Sequence, residues 1–288
     1  DEDNLEAKLS SLSHDDTVLF CGFDWHSQVL HKNATYREWI VKCEAKKVGI
    51  FQEHLTASWI VKDENLKSEF NIAVSSAVSC LTHIVCNHEQ DISYITQLVK
   101  GNKPVLFLPF FADLTVFKNL KLKREIKGFF RGKRAKLLDS DPYYKRNSII
   151  EFLRTNPDFQ IKEFKENSYN NAEEMVSSYN RDLNEYEIQL NLPSLSRSLT
   201  CRPFEIGAAG GCLISEKSEG VVSQGVFTKE EADMLHPING ENLLHTVKHL
   251  IKNEKIRNRK RSALQSLVTS NHSHKNRIKQ LFDWLSLD

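Results

Sequence analysis

The chain has 288 residues, 40% of them hydrophobic, which is enough for one large core or two modest ones and favours two domains. Lys and Arg total 39 against 38 Asp and Glu, so no global field steers the chain toward nucleic acid or anionic lipid. Any basic surface must be local.

In chain order, a polar lead gives way to TVLFCG at 17–22, a short apolar run stopped by glycine, as expected of a strand buried on both faces. Similar runs follow at 48–52, 83–86 and 104–109. Between them, residues 36–46, 66–81 and 89–100 read as helices, the last with Ile92, Ile95 and Leu98 on one face. This alternation predicts an α/β fold with a parallel sheet covered by helices on both faces. Beyond Pro109 a polar, Lys-rich stretch at 109–122 reads as a linker, dividing the chain into domains 1–110 and 111–288. The second half repeats the pattern: strands at 126–130, 159–164, 187–192 and 211–215, helices at 147–155, 172–183, 202–209, 241–252, 255–269 and 275–287. Within the penultimate helix the basic run RNRKR, 257–261, is expected on a solvated face.

Cys21, Cys43, Cys80, Cys86, Cys201 and Cys212 sit singly in apolar runs without C-x-x-C spacing and read as reduced core residues rather than metal or redox ligands. No stretch reaches the roughly 18–20 apolar residues of a membrane span. The acidic start is unlike a signal peptide, so a cytoplasmic location is expected.

The densest chemistry lies at 184–215. A strand ends at Asn191, a Ser- and Pro-rich loop follows, and a short helix opens at Arg202 and closes on Gly210 and Gly211. In open α/β sheets ligands bind beyond the carboxyl ends of strands, where helix N-termini offer free N–H groups to phosphate. Arg202 has the donor fork for a diphosphate, and Glu205, one turn on, suits the two hydroxyls of a ribose. Gly207, Ala208 and Ala209 allow close approach of a ligand or a neighbouring strand. A plainer reading stands beside this one: Arg202 and Glu205 form a surface pair and the glycines cap a helix.

The pattern R-x-F-E-I-x-A-x-G-G at 202–211, with YEIQLN at 186–191 before it, resembles the signature of the CgeB-like, spore-maturation glycosyltransferases, related to family-4 (group 1) glycosyltransferases. The resemblance covers about residues 104–285 and implies a GT-B fold: two Rossmann-like lobes with a cleft between them, the second holding a nucleotide-sugar donor, expected to be a UDP-sugar. It puts Glu205 on the ribose and makes Asn191, Arg202, Gly207, Ala208 and Ala209 part of the donor site. KGFFRGKR at 127–134 resembles the first strand of the donor lobe, which gives Arg131, with Lys133 or Lys145, to the diphosphate. Cations gathered there replace a metal, so neither a metal nor a cofactor is expected. The family also carries a Glu eight positions before Glu205; here that place is Arg197, so no sugar contact transfers. The stretch KLKREIKGFFRGKRAK, 121–136, reads alternatively as a solvated basic edge or a nucleic-acid patch.

Only four strands precede the hinge, so the first lobe is reduced. Asp24 after its first strand, and Glu53 and His54 after its second, are the candidates for a base that deprotonates an acceptor hydroxyl. His83, His88, Trp25, Trp39 and Trp59 are assigned to packing and hydrogen bonding. The expected activity is transfer of a sugar to an acceptor hydroxyl on a glycan, a protein or a modified nucleic acid. The alternative is a degenerate GT-B module that binds glycan or nucleic acid without turnover.

Overall fold

The computed structural model describes residues 2–22, 31–52, 55, 64–132, 142–164, 169–192, 200–215 and 240–287. The chain divides into two compact units, Asp1–Pro109 and Phe110–Asp288.

In the first unit the strands β1 (Thr17–Cys21), β2 (Lys46–Phe51), β3 (His83–Cys86) and β4 (Val105–Phe107) form one parallel sheet in that order. The helices are α1 (Glu2–Ser10), α2 (Ala34–Lys42), α3 (Glu64–Ser79) and α4 (Glu89–Leu98). Register pairs Phe20 with Gly49, Gly49 with Ile84 and Ile84 with Val105, so alternate residues line one face. On that face Phe20, Phe51, Ile84 and Cys86 meet Ile40 of α2, Val74 and Ala77 of α3 and Ile95 of α4 in one apolar cluster. Right-handed crossovers between strands in sequential order send every connecting helix over the same face. The described connecting helices of this unit share that face, while on the opposite face Val48 and Val85 are also fully buried. Leu19, on the opposite face, is exposed, and so is Cys21, which is not the core residue its apolar run suggested.

Local choices follow tertiary demand. Helix α2 begins on Asn33, whose side chain accepts from the Tyr36 N–H at 3.0 Å. It stops at Lys42, four residues before its predicted end, because Lys46 and Lys47 pair with Thr17 and Val18 as strand. Lysine favours helix only weakly, and sheet pairing wins. Lys47 is buried, and its ammonium donates to the Cys43 carbonyl at the end of α2 at 2.6 Å. Lys103 likewise donates to the Val78, Ser79 and Leu81 carbonyls that α3 leaves unsatisfied. His88 bonds the Gln52 carbonyl at 3.0 Å and His83 the Thr82 hydroxyl at 2.8 Å, as hydrogen-bonding groups of the fold.

The second unit contains β5 (Glu125–Gly132), β6 (Phe159–Glu163), β7 (Tyr186–Asn191) and β8 (Cys212–Ser215), parallel throughout and ordered β6-β5-β7-β8. Helices α5 (Pro142–Arg154), α6 (Ala172–Glu185), α7 (Arg202–Ala209), α8 (Gly240–Lys252), α9 (Glu254–Asn271) and α10 (His274–Leu285) complete it. Here the chain steps outward from β5 to β6 and then back across to β7, which places α5 and α6 on opposite faces. Phe130, Ile188 and Leu190 pack with Ile150 and Leu153 of α5 and Val247 of α8 on one face. Full burial of each such side chain contributes about 1.5–3 kcal/mol.

The segment predicted as a linker is fixed to this unit. Ala112 exchanges backbone bonds with His272 and His274, and the Leu120 N–H donates to Asn184 Oδ1 at 2.8 Å. Arg124 reaches the Leu183 and Ala209 carbonyls and Asn184 Oδ1, joining the entry to β5 with the ends of α6 and α7. The basic run on α9 is also corrected. Arg257 is buried and, with Arg261, holds the Glu187 carboxylate of β7, while Arg261 Nε donates to the Gly210 carbonyl at 2.9 Å. Only its intervening residues Asn258 and Arg259 are exposed.

Candidate functional site

The carboxyl ends of β5 and β7 lie side by side, and their connections depart in opposite directions. Such a switch point leaves a crevice uncovered at the sheet's C-terminal edge. A pocket of about 240 Å³ opens there, lined by Arg131 and Gly132 of β5, Phe164 beyond β6, Met175 and Tyr179 of α6, and Arg202 at the start of α7.

Arg131 enters this wall from a packed position, 6% exposed. Its Nη1 donates to Asp182 Oδ2 at 2.6 Å and to Ser178 Oγ at 3.2 Å, and its Nη2 donates to the Tyr169 hydroxyl. The guanidinium also lies 5.4 Å from the Tyr169 ring centroid and 5.5 Å from that of Tyr179. Asp182 accepts a second cation, Lys162, whose strand position pairs with Arg131 in register. Arg131 is thus oriented on several sides, with part of its charge balanced by Asp182.

Arg202 stands 5.0 Å from the Phe130 ring centroid and Arg146 of α5 stands 5.9 Å from it, so two guanidinium groups gather around one aromatic ring. Arg146 also donates to the Leu192 carbonyl beyond β7 at 3.3 Å. Gly132 is required between them: a Cβ there would come within 2.6 Å of the Phe130 ring and 3.5 Å of Arg202 Nη2.

Helix α7 is delimited locally. Pro203 follows Arg202 in its first turn, where a missing N–H costs nothing, and Gly210 ends it at φ 75°. Glu205 sits in that first turn, favourably placed against the helix dipole. Burial pushes its carboxyl above the ordinary glutamate range, opposed by the charge of Arg202. Burial likewise raises the Cys201 thiol and the Tyr179 hydroxyl. Among the described residues the Tyr179 hydroxyl makes no hydrogen bond of ordinary length and angle, although Glu205 is near enough for each to shift the other's titration.

The remaining sequence candidates fall in different places. Asn191 joins the ends of β7 and β8, donating from Nδ2 to Ser215 Oγ at 2.8 Å. Gly207 faces α9, where a Cβ would meet Val268 at 2.6 Å and Leu264 at 3.0 Å; Ala208 and Ala209 are buried. The smallness of this stretch serves the crossing of α7 and α9. Lys145 falls on α5. Asp24, Glu53, His54, Lys133, Arg197, Trp25 and Trp59 lie outside the described residues. No cluster of potential metal ligands occurs among the described residues, and none of the described helices is long and apolar enough to cross a membrane.

The sequence did not single out Tyr179, Asp182, Lys162 or Arg146. One signal was available on α6: Asn180, Asp182 and Asn184 crowd its last turns, and all three are buried. A buried helix end so rich in polar side chains marks a network rather than plain core.

Residues 145–283 match the family model described as glycosyl transferase-like. Sucrose-phosphate synthase from Thermosynechococcus elongatus superimposes with a TM-score of 0.60 at 10% identity, over 94% of this chain and 74% of that one. Anabaena HepE, solved in complex with UDP, gives 0.60 at 10% identity, over 99% and 82%. An alpha-glucosyltransferase solved with UDP-glucose and DNA containing an abasic site gives 0.57 at 13%, over 98% and 83%. No curated protein sequence matches the chain significantly. The chain therefore has the GT-B fold of two Rossmann-like units, and residues 145–283 of the second unit are similar to the glycosyl transferase-like model.

Proposed function

We propose that the chain transfers a sugar from a nucleotide-diphosphate donor, a UDP-sugar, to an acceptor hydroxyl without an obligatory metal. The observation that carries this reading is the pocket at the β5/β7 switch point, with Arg202 and Glu205 in the first turn of α7 and Arg131 in its wall. The glycosyl transferase-like match over this same domain supports it. So do the similar folds solved with UDP or UDP-glucose.

In the transfer, the bond between the sugar's anomeric carbon and the β-phosphate oxygen breaks, and its electron pair stays on the diphosphate. The acceptor oxygen bonds that carbon and gives up its proton. Negative charge therefore grows on the leaving group, and Arg202 is the cation best placed to stabilise it, since Asp182 already balances part of the charge on Arg131. The Glu205 carboxylate accepts from the ribose hydroxyls.

Calorimetry with UDP and uridine, with and without magnesium, tests the reading. The wild type binds UDP in the absence of metal. Arg202→Ala weakens UDP far more than uridine, because only UDP carries the diphosphate, whereas Glu205→Ala weakens both. Equal losses for the two ligands in Arg202→Ala would remove the diphosphate assignment.

A further inference from the structure

Tyr179 raises a question that the donor reading leaves open. It lines the pocket beside Arg131 and Arg202, and its ring is fixed edge-on against Phe117, 5.9 Å between centroids, and by the Arg131 guanidinium. Its hydroxyl is buried, yet it makes no ordinary hydrogen bond among the described residues. A buried hydroxyl left unsatisfied costs about 1–3 kcal/mol, so its retention calls for a partner in some other state of the protein. The adjacent acceptor is the Glu205 carboxylate, and hydrogen bonds of this kind are often long without ligand and tighten in the complex.

Resting on the nucleotide reading of this pocket, we propose that Tyr179 is a positioning residue for Glu205: when a ribose engages the carboxylate, the Tyr179 hydroxyl donates to its inner oxygen and fixes the outer one on the sugar. The donor is then held by a carboxylate anchored from α6 as well as from α7, which couples two helices that pack on the same face of the sheet. Cys201 just before α7, Arg202 on α7 and Arg131 on β5 are the other ionisable groups around this pair.

Tyr179→Phe keeps the ring and removes only the oxygen. In the free protein its thermal midpoint is expected to stay close to that of the wild type, because only a long, poorly aligned contact with Glu205 is lost. UDP and uridine should both bind roughly ten- to hundredfold more weakly, the worth of one hydrogen bond to a charged group. In a Glu205→Ala background the same substitution should have no further effect on affinity. A lowered midpoint would overturn the proposal by showing that the hydroxyl is already bonded in the free protein. Unchanged affinity, loss for UDP alone, or an effect additive with Glu205→Ala would each overturn it as well. Failure of the wild type to bind either ligand would instead remove the nucleotide reading, and this proposal with it.

Discussion

Replacing Asp182 by alanine removes the carboxylate that both Arg131 and Lys162 use. The two cations do not lose equally. Lys162 is 38% exposed and has Glu185 at 3.5 Å as a second partner, so its share is screened and amounts to less than about 1 kcal/mol. Arg131 is 6% exposed and keeps only neutral acceptors, the Ser178 and Tyr169 hydroxyls. Breaking a buried pair from one side leaves the other charge uncompensated and costs about 3–5 kcal/mol. For a unit of this size each kcal/mol lowers the midpoint by roughly 2–4 °C, which gives a drop of roughly 6–20 °C. Urea unfolding followed by circular dichroism measures the loss directly. The double variant Asp182→Leu with Arg131→Met replaces the pair by apolar groups and should be more stable than Asp182→Ala alone, since no buried charge is stranded. A loss below about 1 kcal/mol in Asp182→Ala, or a double variant worse than the single, would refute the claim that this pair is desolvated.

Two further outcomes concern the packing behind the site. Arg277 donates to His272 Nδ1 at 2.5 Å, which requires the ring to be neutral, and burial followed by the charge of Arg277 lowers the His272 pKa to about 4. A histidine depressed in the folded state takes up protons preferentially when unfolded. Stability from this group is therefore complete above about pH 6.5, falls as pH drops toward 4, and changes no further below that. His272→Gln should flatten that slope in urea titrations across the same window, and an unchanged slope would exclude His272 as its source. Gly207→Ala should cost about 1–3 kcal/mol through collision with Val268 and Leu264, even though alanine favours helix over glycine by about 1 kcal/mol. Adding Val268→Ala should recover part of that loss if the contact is the cause.

Much of the fold was legible because strands buried on both faces read as short apolar runs: HIVC became β3 and RPFEIGAA became α7 at their predicted bounds. Elements whose limits depend on distant partners were not. Helix α1 has only Leu5 and Leu9 as an apolar pair in a polar segment, and it packs against α2. The two lysines that open β2 read as helix until their pairing with β1 is known. The same division holds at the site. Arg202 and Glu205 were legible from one contiguous motif. Asp182 and Tyr179 were not, since their meaning comes from Arg131, which is 51 residues from Asp182 and reaches it only through the sheet.

The contrast between the two sheets explains why the proposed donor pocket opens in the second unit. In the order β1-β2-β3-β4 every crossover moves one way, so no neighbouring strand ends among the described residues part company, and the described connecting helices collect over one face. Reversing direction after β6 makes β5 and β7 neighbours whose connections diverge, and their carboxyl ends stay open. Each wall of that opening is then filled by a different element: Arg131 from β5, Tyr179 from α6 and Arg202 from α7. The first turn of α7 adds a positive dipole end, while Gly132 and Gly207 let the ring of Phe130 and helix α9 close in behind. A site assembled this way requires the strand order before any side chain, and substitutions that loosen the α7–α9 packing should weaken nucleotide binding without touching the pocket wall.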